Sequence, residues 1–148
     1  AAAALLHDIG LSVTHGLWHP YEGWRLLSAL GEPELARPAV THWLKGRTLR
    51  RILRTSPGID RGRIEEIFRE GRPRPRTWHD LVVSAADAMA APGGVGPVDE
   101  RYRDLRQRYG DSPWLRDSRR ITRGEFARLS RRAGVDLERL VLESAARP

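Results

Sequence analysis

Apolar side chains recur along this chain at three- and four-residue intervals, and no stretch alternates apolar and polar positions long enough to make a useful strand. The pattern predicts an all-α protein. Residues 1 to 9 read as the end of an apolar helix, and the glycine-interrupted residues 10 to 18 as a loop. Pro20 suits a first helical position because its missing N–H is not needed there; Leu26, Leu27 and Leu30 mark a buried face, and Gly31 closes the helix. A third helix starts near Pro33 and carries Leu35, Ala39, His42 and Trp43, with Pro38 predicting a kink or a later start. Two short basic helices, about 47 to 54 and 60 to 69, flank Ser56-Pro57-Gly58, and the alternating Arg and Pro of residues 72 to 76 read as an extended link.

The second half continues in the same way. Thr77 with Asp80 reads as a capping box opening a helix that runs through Leu81, Val82, Ala85, Ala86 and Met89 to Pro92. A loop over residues 92 to 97 follows, then a buried stripe of Val98, Tyr102, Leu105 and Tyr109. Thr122 with Glu125 predicts another helix start, Gly134 its end, and Asp136 the cap of the last helix. The expected architecture is a single helical domain of about six to eight helices. Residues 1–110 form its main body, with the basic segment 43–76 inside it, and residues 111–148 a C-terminal helical hairpin packed on it.

Composition narrows the chemistry. A chain of 148 residues buries about two thirds of its unfolded surface, enough for a helical core without staples. There is no cysteine, so disulfides and thiolate metal sites are excluded and any metal must sit on imidazole and carboxylate. No apolar run reaches the length of a membrane span, so no membrane partner is expected and the cytoplasm is the default location. The net charge of +7 is unevenly placed: residues 43 to 80 hold 11 basic against 5 acidic side chains. Arginine outnumbers lysine 25 to 1, and guanidinium forks suit phosphate oxygens. That segment reads either as a solvated face or as an attractor of polyanions.

The candidate chemistry begins at Leu5-Leu6-His7-Asp8-Ile9-Gly10, where an imidazole and a carboxylate stand side by side at the end of an apolar helix. Adjacent helical positions point about 100° apart, so the two share a cation only at a helix end, where a glycine frees the backbone, and Gly10 supplies that end. Downstream come His19-Pro20 with Gly23, Leu26 and Leu27, then Ala39-Val40-Thr41-His42-Trp43, then Ala85-Ala86-Asp87, and finally Asp99-Glu100-Arg101-Tyr102 to Arg108-Tyr109-Gly110. This ordered series resembles the HD superfamily of metal-dependent phosphohydrolases, of the HDIG type, over residues 1 to about 110. Trp43 stands where relatives carry a second histidine, and Leu11 where they often carry a lysine or histidine. The family's first ligand histidine lies on an upstream helix. Only six residues precede His7 and the chain opens on four alanines, so it reads as a fragment cut inside a helix.

The resemblance implies a phosphatase or phosphodiesterase that acts on a nucleotide or related phosphate ester through metal-activated water. It implies one or two divalent cations (Mn, Fe, Ni, Zn or Mg), with His7, Asp8, His19, His42 and Asp87 as ligands and Asp8 also in a catalytic role. His7, Asp8 and Asp87 would hold one ion, and His19 and His42 a second, with Asp8 bridging. Lys45, the only lysine, would contact the substrate phosphate or simply stand exposed. Each histidine taken singly also fits a packed core residue, and His15 and His79 read as surface residues. Trp18, Trp24, Trp43, Trp78 and Trp114 fit core or rim packing better than a base-stacking platform. Two other functions stay open: a non-catalytic HD module that binds a ligand or partner, and a basic helical nucleic-acid binder, to which the hairpin-like residues 125 to 140 add a faint helix-turn-helix pattern.

Overall fold

The computed structural model describes residues 2–71, 73–91 and 93–146. It is predominantly α-helical, with nine α-helices among those residues, several of them shorter than the pattern suggests: α1 (Ala2–Leu6), α2 (His19–Ala29), α3 (Pro33–Leu44), α4 (Leu49–Thr55), α5 (Arg61–Glu66), α6 (Trp78–Asp87), α7 (Val98–Tyr109), α8 (Pro113–Ala133) and α9 (Leu137–Ala145). A 3-10 turn at Ile9–Ser12 follows α1, and a π-helical turn at Ile67–Gly71 prolongs α5. Contacts divide the chain into two compact units, residues 1–84 and 85–148, with the division falling inside α6.

The first unit is built on α2 and α3, which pack along their lengths, with α1 on α3 and the 3-10 turn on α2. Their contact buries Tyr21, Trp24, Leu27, Ala36, Ala39, Val40 and Leu44, and Ile52, Ile64 and Ile67 extend the core under the basic helices. Leu30, expected in the stripe, is exposed at the end of α2. Pro38 neither delays nor ends α3, which runs unbroken from Pro33. It ends in two successive left-handed residues, Lys45 at φ 51° and Gly46 at φ 70°, which turn the chain sharply into α4. Buried Arg47 sits in that turn and donates to the Trp43 and Leu44 carbonyls, two acceptors left over at the end of α3.

The predicted capping box at the start of α6 is present. Asp80 Oδ2 accepts from the Thr77 N–H at 2.9 Å and Thr77 Oγ1 from the Asp80 N–H at 3.3 Å. Asp80 is also almost fully buried, because the Arg37 guanidinium on α3 donates to both its oxygens at 3.2 Å. The helix stops at Asp87, short of the expected end at Pro92, which lies outside the described residues, as does Arg72 of the link. Instead of a longer helix, a two-residue hairpin pairs Ala90 with Val95 and Ala91 with Gly94. Gly93 and Gly94, both at positive φ, make its turn possible.

In the second unit α7 and α9 both pack on α8. The expected start of α8 at Thr122 is wrong by nearly three turns. Ser112 caps the helix by accepting from the Leu115 N–H at 3.2 Å, and Pro113 takes the first position, a stronger start signal than Thr122 with Glu125. Thr122 and Glu125 instead lie buried in the middle of the helix, with the Thr122 hydroxyl 2.9 Å from the Tyr102 hydroxyl. Val98 and Tyr102 are buried as the stripe predicts, whereas Tyr109 is exposed. Asp136 caps α9 by accepting from the Arg139 N–H at 3.1 Å.

Candidate metal centre

Three imidazoles in the first unit converge on one carboxylate. His7 Nε2 lies 3.3 Å from Asp8 Oδ2, His19 Nε2 lies 3.1 Å from Asp8 Oδ1, and His42 Nε2 lies 3.6 Å from the same Oδ1. The His7 and His42 rings meet edge to face at 4.9 Å. The four side chains come from the end of α1, the start of α2 and the last turn of α3, so the site exists only when those three elements pack.

Small residues permit that packing. A Cβ on Gly10 would stand 1.9 Å from the His19 carbonyl oxygen and 2.5 Å from the Gly23 amide nitrogen, distances no atom can occupy. A Cβ on Gly23 would in turn stand 3.6 Å from the Ala39 Cβ. Gly10 therefore does not serve as a conformational exception at a helix end, as the sequence suggests. It lets the segment carrying Asp8 lie flush on the first turn of α2.

Each ring is also oriented from behind. His7 Nδ1–H donates to the Ala4 carbonyl at 2.7 Å, His19 Nδ1–H to the Gly16 carbonyl at 2.9 Å, and His42 Nδ1–H to the Pro38 carbonyl at 3.0 Å. A carbonyl only accepts, so each ring carries a proton on Nδ1 and turns Nε2 toward Asp8. An Nε2 lone pair pointed at a carboxylate oxygen is repulsive unless a proton or a cation lies between them. Among the described residues, His7 Nε2 is buried and has no hydrogen-bond partner. Backbone carbonyls behind the rings and Nε2 atoms turned toward one carboxylate are the arrangement that metal-binding histidines adopt.

The electrostatics agree. Partial burial pushes the Asp8 carboxyl up, but the hydrogen bond to His19 and the charges of His42, His7 and His19 outweigh it and hold the group down at about 2. Asp8 is thus a carboxylate at any ordinary pH. His7, Asp8 and His42 each offer a ligand atom within 4.8 Å of the others and can hold a metal ion. Ligands of one first-row divalent cation stand about 3 to 4 Å apart, the range of the contacts seen here. Side-chain exposure rises from 6% for His42 and 18% for His7 to 35% for Asp8, so the carboxylate side of the cluster is open to solvent. The cavity of about 320 Å³ bordered by Trp24, Ser28, Arg37 and Gly71 includes none of these residues.

The remaining candidates stand as follows. Asp87 is the last residue of α6, half-buried, in the second unit. Lys45, expected at the substrate phosphate or in solvent, is buried; its ammonium donates to Ser84 Oγ at 2.7 Å and ties the end of α3 to α6. His15 and His79 are exposed. Trp24 is buried, while Trp18 and Trp43, each next to a site histidine, are half-buried with their rings 5.5 Å apart. Sequence reasoning missed the three carbonyl anchors. Their signal was a histidine placed three or four residues after the carbonyl that orients it, Ala4, Gly16 or Pro38.

No family model, no curated protein and no solved structure matches the chain. Among the described residues no helix is long and apolar enough to cross a membrane.

Proposed function

We propose that the protein is a metal-dependent phosphohydrolase and that His7, Asp8, His19 and His42 are its reaction centre. The observation that carries this reading is the convergence of three Nε2 atoms, each ring locked from behind by a backbone carbonyl, on a carboxylate that stays ionised. The ordered resemblance to the HD superfamily supplies the reaction class, with a nucleotide or related phosphate ester as substrate. A bound divalent cation, of the group Mn, Fe, Ni, Zn and Mg, would supply Lewis acidity toward a phosphate oxygen and acidify a water.

The chain's own residues do the rest. Asp8 divides its oxygens, Oδ2 toward His7 and Oδ1 toward His19 and His42, the arrangement a bridging carboxylate needs. Its exposed side gives a phosphate ester an approach. The Nδ1–H bonds keep every imidazole from swinging away as charge changes in front of it.

The test is release of inorganic phosphate from a panel of nucleotides and simple phosphate monoesters, with each divalent cation supplied in turn. Wild-type protein is expected to turn over at least one ester, and Asp8→Asn to lose that activity by more than about a hundredfold while keeping its helical circular dichroism. Equal turnover by the folded variant would reject the reading.

A further inference from the structure

A second feature of the first unit lies outside the histidine cluster. Between Glu34 and Asp60 the chain contains no acidic residue, yet it holds Arg37, Lys45, Arg47, Arg50, Arg51 and Arg54. Some of these charges are absorbed by the fold: Arg37 by Asp80, Lys45 by Ser84, and Arg47 by the carbonyls at the end of α3. Arg50 and Arg54 are not. Both are exposed, and among the described residues neither guanidinium makes an ion pair or a hydrogen bond. They stand four apart on α4, which places their Cβ atoms about 6 Å from each other on one face.

Elsewhere in this unit an exposed arginine usually has a carboxylate close by in the sequence. Arg61 pairs with Glu65 at 2.7 Å, Arg69 with Glu70 at 3.1 Å, and Arg25 approaches Glu22 at 3.9 Å. The other exceptions are Arg74 and Arg76 of the extended link, exposed and with unpaired guanidinium groups among the described residues. That link packs against the turn leading into α4: a Cβ on Gly46 would stand 3.3 Å from Pro75 Cδ. The fold therefore brings the link that carries Arg74 against the turn, residues 45–48, that leads to Arg50 and Arg54, and no acidic side chain lies in that turn, in α4 or in residues 73–76; Arg76 instead borders a cavity that Glu34 and Glu70 also line.

We propose that Arg50 and Arg54 of α4, with Arg74 of the neighbouring link, form a surface that binds the phosphate backbone of a nucleic-acid duplex. Guanidinium forks match phosphate oxygens two at a time, and a spacing set by one helical turn lets successive side chains reach separate phosphates. Neither α4 nor residues 73–76 carries an aromatic side chain on which unpaired bases could stack, so the surface reads charge rather than sequence and favours a duplex over a single strand. The surface is independent of the metal centre.

The experiment measures binding of the full chain to a short mixed-sequence DNA duplex over a range of salt concentrations, with chelator present. Affinity is expected to fall linearly on a double-logarithmic plot, and the slope to drop by about 0.9 for each phosphate contact removed in Arg50→Gln and Arg54→Gln. Arg61→Gln and Arg69→Gln change the net charge by the same amount at paired positions and are expected to leave the slope unchanged. An unaltered slope in the Arg50→Gln/Arg54→Gln double variant, or an equal drop in both sets, would overturn the proposal. So would tighter binding to a single strand of the same sequence, or a wild type that does not bind the duplex.

Discussion

Asp8 has two oxygens and three imidazole neighbours, and a glycine two residues on decides whether they meet. With its hypothetical Cβ placed 1.9 Å from the His19 carbonyl, Gly10 has no room for any side chain. Gly10→Ala is expected to cost about 3 kcal/mol of stability, the upper end of overpacking effects, and to separate Asp8 from His19. Urea denaturation checks the first part, and a cation titration of the folded fraction the second; an alanine variant as stable as wild type would show that the backbones are not in contact. At this scale the residue types were legible from the sequence while their reasons were not. His7, Asp8, His19 and His42 stand out by identity and order. A glycine that permits close approach reads the same as a glycine that ends a helix, because both lack a Cβ and only the neighbouring backbone tells them apart. Lys45 is a similar case: nothing local to it reveals that Ser84, 39 residues on, receives its ammonium.

Helices place these residues, and helix ends were the least legible part. Where a cap is local, as at Thr77 with Asp80 or at Asp136, the sequence predicts it correctly. Where two starts compete, as at Ser112-Pro113 and Thr122, tertiary burial of Thr122 against Tyr102 decides, and no local pattern carries that information. The same second unit offers a test by pH. Asp99 on α7 accepts from Arg119 Nε at 2.8 Å and pairs with Arg123 Nη2 at 2.7 Å, both on α8, and Arg123 also pairs with Glu138 on α9. Hydrogen bonds from Arg119 and then Arg123 pull the Asp99 carboxyl from 3.8 down to about 2. A carboxyl lowered on folding adds stability that is present above its unfolded value and is lost as pH falls through its folded one. Wild type should therefore melt higher than Asp99→Asn above about pH 4, and the gap should close as pH falls to about 2. Because the group is largely exposed, high salt should shrink the same gap at neutral pH. A gap that is constant with pH would assign the effect to packing instead of charge.

For the molecule as a whole, the hydrophobic pattern and the absence of strand periodicity specify an all-α chain, which is what forms. The charge is less simply read. A net +7 with 25 arginines conceals the difference between guanidinium groups that the fold pairs and those it leaves facing water, a distinction that depends on which carboxylates fall within reach. The centre, too, is a property of the folded first unit, since residues 7, 8, 19 and 42 reach one another only through the packing of α1, α2 and α3. Cation binding should accordingly stabilise the folded state and weaken in acid, where the imidazoles must shed protons from Nε2 to bind. The most direct measurement is a calorimetric titration of the protein with a divalent cation, run beside Asp8→Asn. The expected result is saturable binding by wild type, with protons released on binding, and loss of that binding in the variant; a wild type that takes up no cation, or a variant that binds as tightly, would contradict it.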